Sequence, residues 1–123
     1  VARYVDGFVI PLPKDKIEAY RKLANKASQI WKDHGAIDYW ECIGDDLEIQ
    51  HEGGPMSFLK MAGASQAETI VFAWAVFESR QKRDEANAKI MADPRMLAMM
   101  APDKQLFDCT RMACGGFKEL DLG

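Results

Sequence analysis

Asp6 stands between Tyr4 and Phe8 in the run Tyr4-Val-Asp-Gly-Phe-Val-Ile10, so the alternation of a strand places a carboxylate on an apolar face. A carboxylate buried there must be neutralised, hydrogen-bonded or paired, because unpaired burial costs several kcal/mol. Two readings stay open. Asp6 is a structural group holding an arginine such as Arg111, an indole N–H or backbone amides, or it is a base or ligand anchor with a displaced pKa. His34 closes the inward stripe of the first helix, where it either packs and caps or joins Asp6 as a second catalytic candidate that orients a ligand.

Trp74, Asn87, Tyr20 and Trp31 complete the candidate set as ligand-binding residues. Asn87 falls among Arg83, Ala86, Ile90 and Met91 on the inward side of a second helix, so its amide needs a partner. Trp31, Trp40 and Trp74 are either an aromatic cage or the one indole per element of a packed small domain. Met91, Met96, Met99, Met100 and Met112 either line an adaptable apolar pocket or fill the core. Glu41, on an edge-like strand, shares the two readings of Asp6, with exposure to solvent the first expectation. His51 has no second ligand at metal-binding spacing, so no metal is predicted. The P-loop, GxGxxG, GxSxG and HExxH patterns do not occur, which removes most cofactor enzymes recognisable from a motif, and no cofactor is predicted.

These side chains need elements to position them. Tyr4 to Leu12 reads as a strand ended by Pro11 and Pro13. From Lys14 to His34, Ile17, Tyr20, Ala24, Ala27 and Trp31 recur at three- and four-residue steps, which predicts a helix. Asp15 with Glu18 resembles a capping box, and Gly35 suits the left-handed residue after the last turn. Ile37 to Ile43 is a second strand, which Leu47 to His51 extends or returns. Glu52 to Ala67 has neither period and reads as a mobile excursion. Thr69 to Phe77 is a third strand, and Ser79 caps a helix from Arg80 to about Ala92. Asp93-Pro94 starts a short helix, and Arg111 to Leu120 is a fourth strand whose Gly115-Gly116 marks a bulge or a close backbone approach. The order β-α-β-β-α-β predicts an α+β, ferredoxin-like subunit: a four-stranded antiparallel sheet with helices on one face, in a single domain spanning 1–123.

The third strand is apolar on both alternating faces and so needs cover twice. Two helices cover one face; the other predicts a homodimer. Val5, Gly7 and Val9 oppose Tyr4, Asp6, Phe8 and Ile10 in strand one. In strand three, Val71, Ala73 and Ala75 oppose Ile70, Phe72, Trp74 and Val76. Size assigns both small sets to the helices and both large sets to the interface, with Asp6 level with Phe72 or Trp74.

A formal net charge of -3, with 16 Lys and Arg among 19 acids and both signs mixed, gives no phosphate-tracking stripe, so nucleic acid is not an expected partner. Three cysteines without CxxC spacing predict reduced thiols, a buried and inert Cys114, and a cytoplasmic protein. The chain enters its first strand without an apolar leader, and no segment has the length of a membrane span.

The segments Tyr4-Val-Asp-Gly-Phe-Val-Ile-Pro-Leu-Pro-Lys-Asp-Lys16, Trp31-Lys-Asp-His-Gly-Ala36, Asn87-Ala-Lys-Ile-Met-Ala-Asp-Pro-Arg-Met96 and Gly115-Gly-Phe-Lys118 together resemble the YbaA-like family of small bacterial proteins, over nearly the whole chain. The resemblance implies a dimeric α/β barrel, a superfamily of cofactor-independent monooxygenases, haem-degrading enzymes, isomerases and ligand sensors. Its haem-degrading members combine an Asn on the first strand, a Trp on the third and a His on the second helix. This chain has Asp6, Trp74 and Asn87 in those elements, so haem ligation is not expected. The sequence thus predicts a homodimer that binds a small, partly apolar organic molecule between sheet and helices, as a cofactor-independent monooxygenase or isomerase. Its alternative is a non-catalytic binding or stress-related module with a structural Asp6.

Overall fold

The computed structural model describes residues 1–49 and 52–123, so His51 lies outside the described residues. Strands β1 (Tyr4–Pro13), β2 (Asp38–Ile43), β3 (Glu68–Phe77) and β4 (Ala113–Lys118) form one antiparallel sheet in the order β2-β3-β1-β4. Helices α1 (Ile17–Asp33), α3 (Arg80–Ala92) and α4 (Pro94–Met99) cover one face, while the one-turn α2 (Phe58–Met61) sits in the excursion before β3. The fold is the ferredoxin-like α+β arrangement expected from the element order.

Local chemistry explains the boundaries. The Lys14–Lys16 segment is a 3-10 turn without a side-chain cap, so the Asp15 and Glu18 box does not form, whereas Gly35 adopts the positive φ of 119° that stops α1. Ser79 Oγ accepts from Lys82 N at 3.2 Å and opens α3; the Asp93 carboxylate accepts from Arg95 N at 2.8 Å and opens α4 behind Pro94. Within the excursion, Ser57 caps α2 by accepting from Lys60 N, an element hidden in the sequence by its length of one turn.

The register overturns the face assignment made from side-chain size. Tyr4, Asp6, Phe8, Ile10 and Leu12 lie opposite Phe77, Ala75, Ala73, Val71 and Thr69, and residues directly opposite share a face. The large residues of β1 therefore interleave with the small residues of β3 under the helices, where Ile10, Leu12, Phe77, Ile30 and Ile90 are buried. Each such side chain contributes about 1.5–3 kcal/mol on burial. On the other face Gly7 lies opposite Trp74 and Val9 opposite Phe72. Large against small fills each layer evenly, a complementarity that sorting each strand separately cannot reveal.

Gly115 and Gly116 pair with β1 in unbroken register, so there is no bulge; Gly116 is instead a close approach, where a Cβ would meet Arg83 Nη2 and the Tyr4 ring. Cys114, on the edge strand β4, is exposed rather than buried, as are Cys42 and Cys109.

Candidate functional site

Asp6 points toward α3 and is only 9% exposed. Arg83 Nε lies 3.2 Å from its Oδ1, yet that N–H is not aimed at the oxygen and makes no hydrogen bond, so the attraction is mainly coulombic. Asn87 lies beside the carboxylate and, with Arg83, favours its charged form. Burial raises the Asp6 pKa above the ordinary carboxylate value, and Arg83 and Asn87 oppose that rise. Arg83 is fixed in turn by the Tyr4 hydroxyl at 3.1 Å, by Asp84 at 3.1 Å and by its stacking over the Tyr4 ring at 4.7 Å. Arg111, named from the sequence as a partner for Asp6, instead grips Glu68 with two nitrogens at 2.8 and 3.0 Å and donates to the Gly63 carbonyl.

His34 lies beyond the end of α1 and bonds Asp93 through Nε2 at 2.8 Å. Asp93 also receives Arg95, whose Nη1 reaches Asp33 at 2.8 Å, so the ring belongs to a charged clasp between α1 and α4. That clasp, Arg95 foremost and His34 next, holds the Asp93 carboxyl well below its usual range. Asp6 and Asn87 are thus brought together, and His34 is bound into a separate network.

Trp74 faces away from all of these. It stacks on Trp40 at 6.0 Å with the rings 16° apart, and meets Phe72 edge-on at 5.5 Å. Phe58 of α2 continues the row, edge-on to Phe72 at 5.8 Å. Beside this row a shallow depression of about 610 Å³ lies over Gly7, between Trp74 and Phe117. The open face carries Trp40 at 52%, Phe72 at 43% and Phe117 at 62% exposure, an apolar surface that the described residues leave largely uncovered.

A third locus is centred on Glu41. Glu41 is half-buried rather than fully exposed: Tyr39-Trp-Glu41 puts Tyr39 and Glu41 on the helix side of β2, opposite Ala75 and Ala73. Tyr20 of α1 donates to Glu41 Oε1 at 2.7 Å, and Tyr39 donates to Oε2 at 2.6 Å. Burial first, and then the Glu41 charge, raises both phenols far above the usual tyrosine value, so each remains a donor. The carboxylate borders two neighbouring spaces beside α1, an apolar slot of about 140 Å³ and an open polar chamber of about 310 Å³. Of the residues singled out as a site from sequence, Tyr20 alone lines this cleft. Trp31 packs on Tyr39 at 6.0 Å with its indole N–H buried and unbonded. The period-two spacing of Tyr39 and Glu41, set against Tyr20 on the inward stripe of α1, was the available signal. Among the described residues no three His, Cys, Asp or Glu side chains gather as a metal site, and no helix is long and apolar enough to cross a membrane.

The sheet order and its one-sided helix layer define a ferredoxin-like α+β protein. Solved structures share that fold at low identity. A NIPSNAP family protein with unknown function from Agrobacterium tumefaciens aligns with a TM-score of 0.58 and 20% identity, covering 98% of this chain and 91% of that one. A dimeric ferredoxin-like protein from an uncultured marine organism aligns at 0.59 and 11%, covering 100% and 98%. The chain belongs to the family described as "Protein of unknown function (DUF1428)", whose model matches residues 3–109. It is 39% identical to the "Uncharacterized protein YbaA" of Escherichia coli strain K12 and to that of Shigella flexneri, over 96% of this chain and 97% of each relative. The family resemblance read from the sequence is therefore a membership.

Proposed function

We propose that this chain works as a homodimer, closed through its open sheet face, that binds a small, partly apolar organic molecule in the cleft beneath α1. The observation that carries the binding reading is the Glu41 carboxylate held by Tyr20 and Tyr39 where an apolar slot meets a polar chamber. The dimer reading is supported by the uncovered aromatic row and by the dimeric description of a structural neighbour. The three exposed, unpaired cysteines suit a reducing compartment such as the cytoplasm.

Asp6 has a structural role in this reading, since it is enclosed by Arg83 and Asn87. Chemistry of the monooxygenase or isomerase kind would need a proton acceptor at the ligand, and Glu41 is the carboxylate that borders the cleft. The test is resonance mapping on the labelled protein with small alcohols and carboxylic acids as probes. Probes that shift Tyr20, Tyr39 and Ile43, and lose that effect in Glu41→Gln, support the reading. Probes that move only Trp40, Phe72 and Trp74 overturn it.

A further inference from the structure

The cleft beneath α1 has two unlike ends with Glu41 between them. Leu12, Ile17, Ile43 and Val71 wall the inner slot, whose size suits a short branched hydrocarbon group. Asn25, Ser28 and Lys32 line the outer chamber. Arg21, Ala24 and Glu41 border both spaces, so the slot and the chamber adjoin at the carboxylate. Arg21 is already engaged with Glu18 at 3.2 Å, which leaves Lys32 as the cation best placed to meet an anion in the chamber.

Glu41 fixes the middle of the ligand. Each of its oxygens accepts one phenol, and a carboxylate has lone pairs for further donors. The phenols hold the carboxylate still, so a donor arriving from the cleft meets a preorganised acceptor in a partly dry space. An apolar group lying against Glu41 would strip water from it without replacing the hydrogen bonds.

Resting on the binding reading above, we propose that the cleft takes a small carboxylic acid with an apolar side chain and a hydrogen-bond donor on the carbon beside its carboxyl group. The side chain fills the slot, the donor faces Glu41, and the ligand carboxylate meets Lys32, Asn25 and Ser28. Both α-hydroxy and α-amino acids present this chemistry.

Titration of the labelled protein with leucine, α-hydroxyisocaproate, isocaproate and isoamylamine separates the possibilities. Leucine or α-hydroxyisocaproate is expected to shift Tyr20, Tyr39 and Ile43 and to bind at least about tenfold tighter than isocaproate or isoamylamine. Which of the two binds tells whether the donor is an ammonium or a hydroxyl. Glu41→Gln should abolish the preference over isocaproate, and Lys32→Met should weaken all three acids alike but not isoamylamine. Should Glu41→Gln fail to fold, Tyr39→Phe, which frees the carboxylate to move, is expected to reduce the preference. If isocaproate binds in the cleft as tightly as the donor-bearing acids, this ligand class is wrong and the cleft reading survives. If no probe moves Tyr20, Tyr39 or Ile43, both are wrong.

Discussion

Asp6 and Trp74 stand on opposite faces of the sheet, although the strands that carry them are hydrogen-bonded neighbours: Asp6 lies across from Ala75, and Trp74 from Gly7. This separates the molecule's properties by side. Asp6 and the Tyr20 and Tyr39 phenols, whose pKa values are raised, are on the helix side, while the aromatic row Trp40, Trp74, Phe72 and Phe58 is on the other. Substitutions on the two sides therefore have separable consequences.

Asp6 makes the first of these measurable through pH. Its folded pKa is raised by burial, so its contribution to stability is fully present below the unfolded value of about 3.9 and is lost as pH rises through the higher folded value. Urea unfolding of the wild type and Asp6→Asn should therefore diverge over that window, the variant gaining relative stability as pH rises. Parallel profiles would mean that the carboxylate is not desolvated.

Asp93 has the opposite sign. Arg95 and His34 hold its folded pKa down, so its contribution is present above about pH 3.9 and is lost as pH falls toward the folded value. Asp93→Asn should lower stability at neutral pH and flatten the acid limb of the unfolding curve. Thermal melts across that range read both effects.

Gly116 packs where Arg83 crosses Tyr4. A methyl there would meet Arg83 Nη2, and would lie 2.6 Å from the Tyr4 hydroxyl. Gly116→Ala is expected to cost about 1–3 kcal/mol in chemical denaturation, as overpacking does, and to steepen the Asp6 pH response by pushing the guanidinium aside.

Trp74 tests the other face. Truncation of a central aromatic anchor costs about 2 kcal/mol or more, so Trp74→Ala should weaken self-association at least about thirtyfold in sedimentation experiments. Asp6→Asn should leave association unchanged. An unaltered Trp74→Ala oligomer would locate the interface elsewhere.

Much of this was legible in the chain. Helix α1 and the caps at Ser79 and Asp93 follow from spacing and short polar side chains. Register was not legible, because sequence fixes which residues of one strand share a face but not which face of its neighbour they join. That single ambiguity put Asp6 beside Trp74. It also concealed Glu41, whose partners come from α1 and from two positions earlier on its own strand.

The strand order has a consequence for how the polypeptide can be divided. The first half of the chain contributes β1 and β2, the second contributes β3 and β4, and across the sheet the halves alternate without exception. A chain opened at the exposed Gly53-Gly54 would give two pieces, neither owning a pair of neighbouring strands. Each piece is then the other's template, joined by the ten residue pairs of β1 with β3, the six of β2 with β3 and the six of β1 with β4. Every strand pairing of the native sheet therefore joins one fragment to the other.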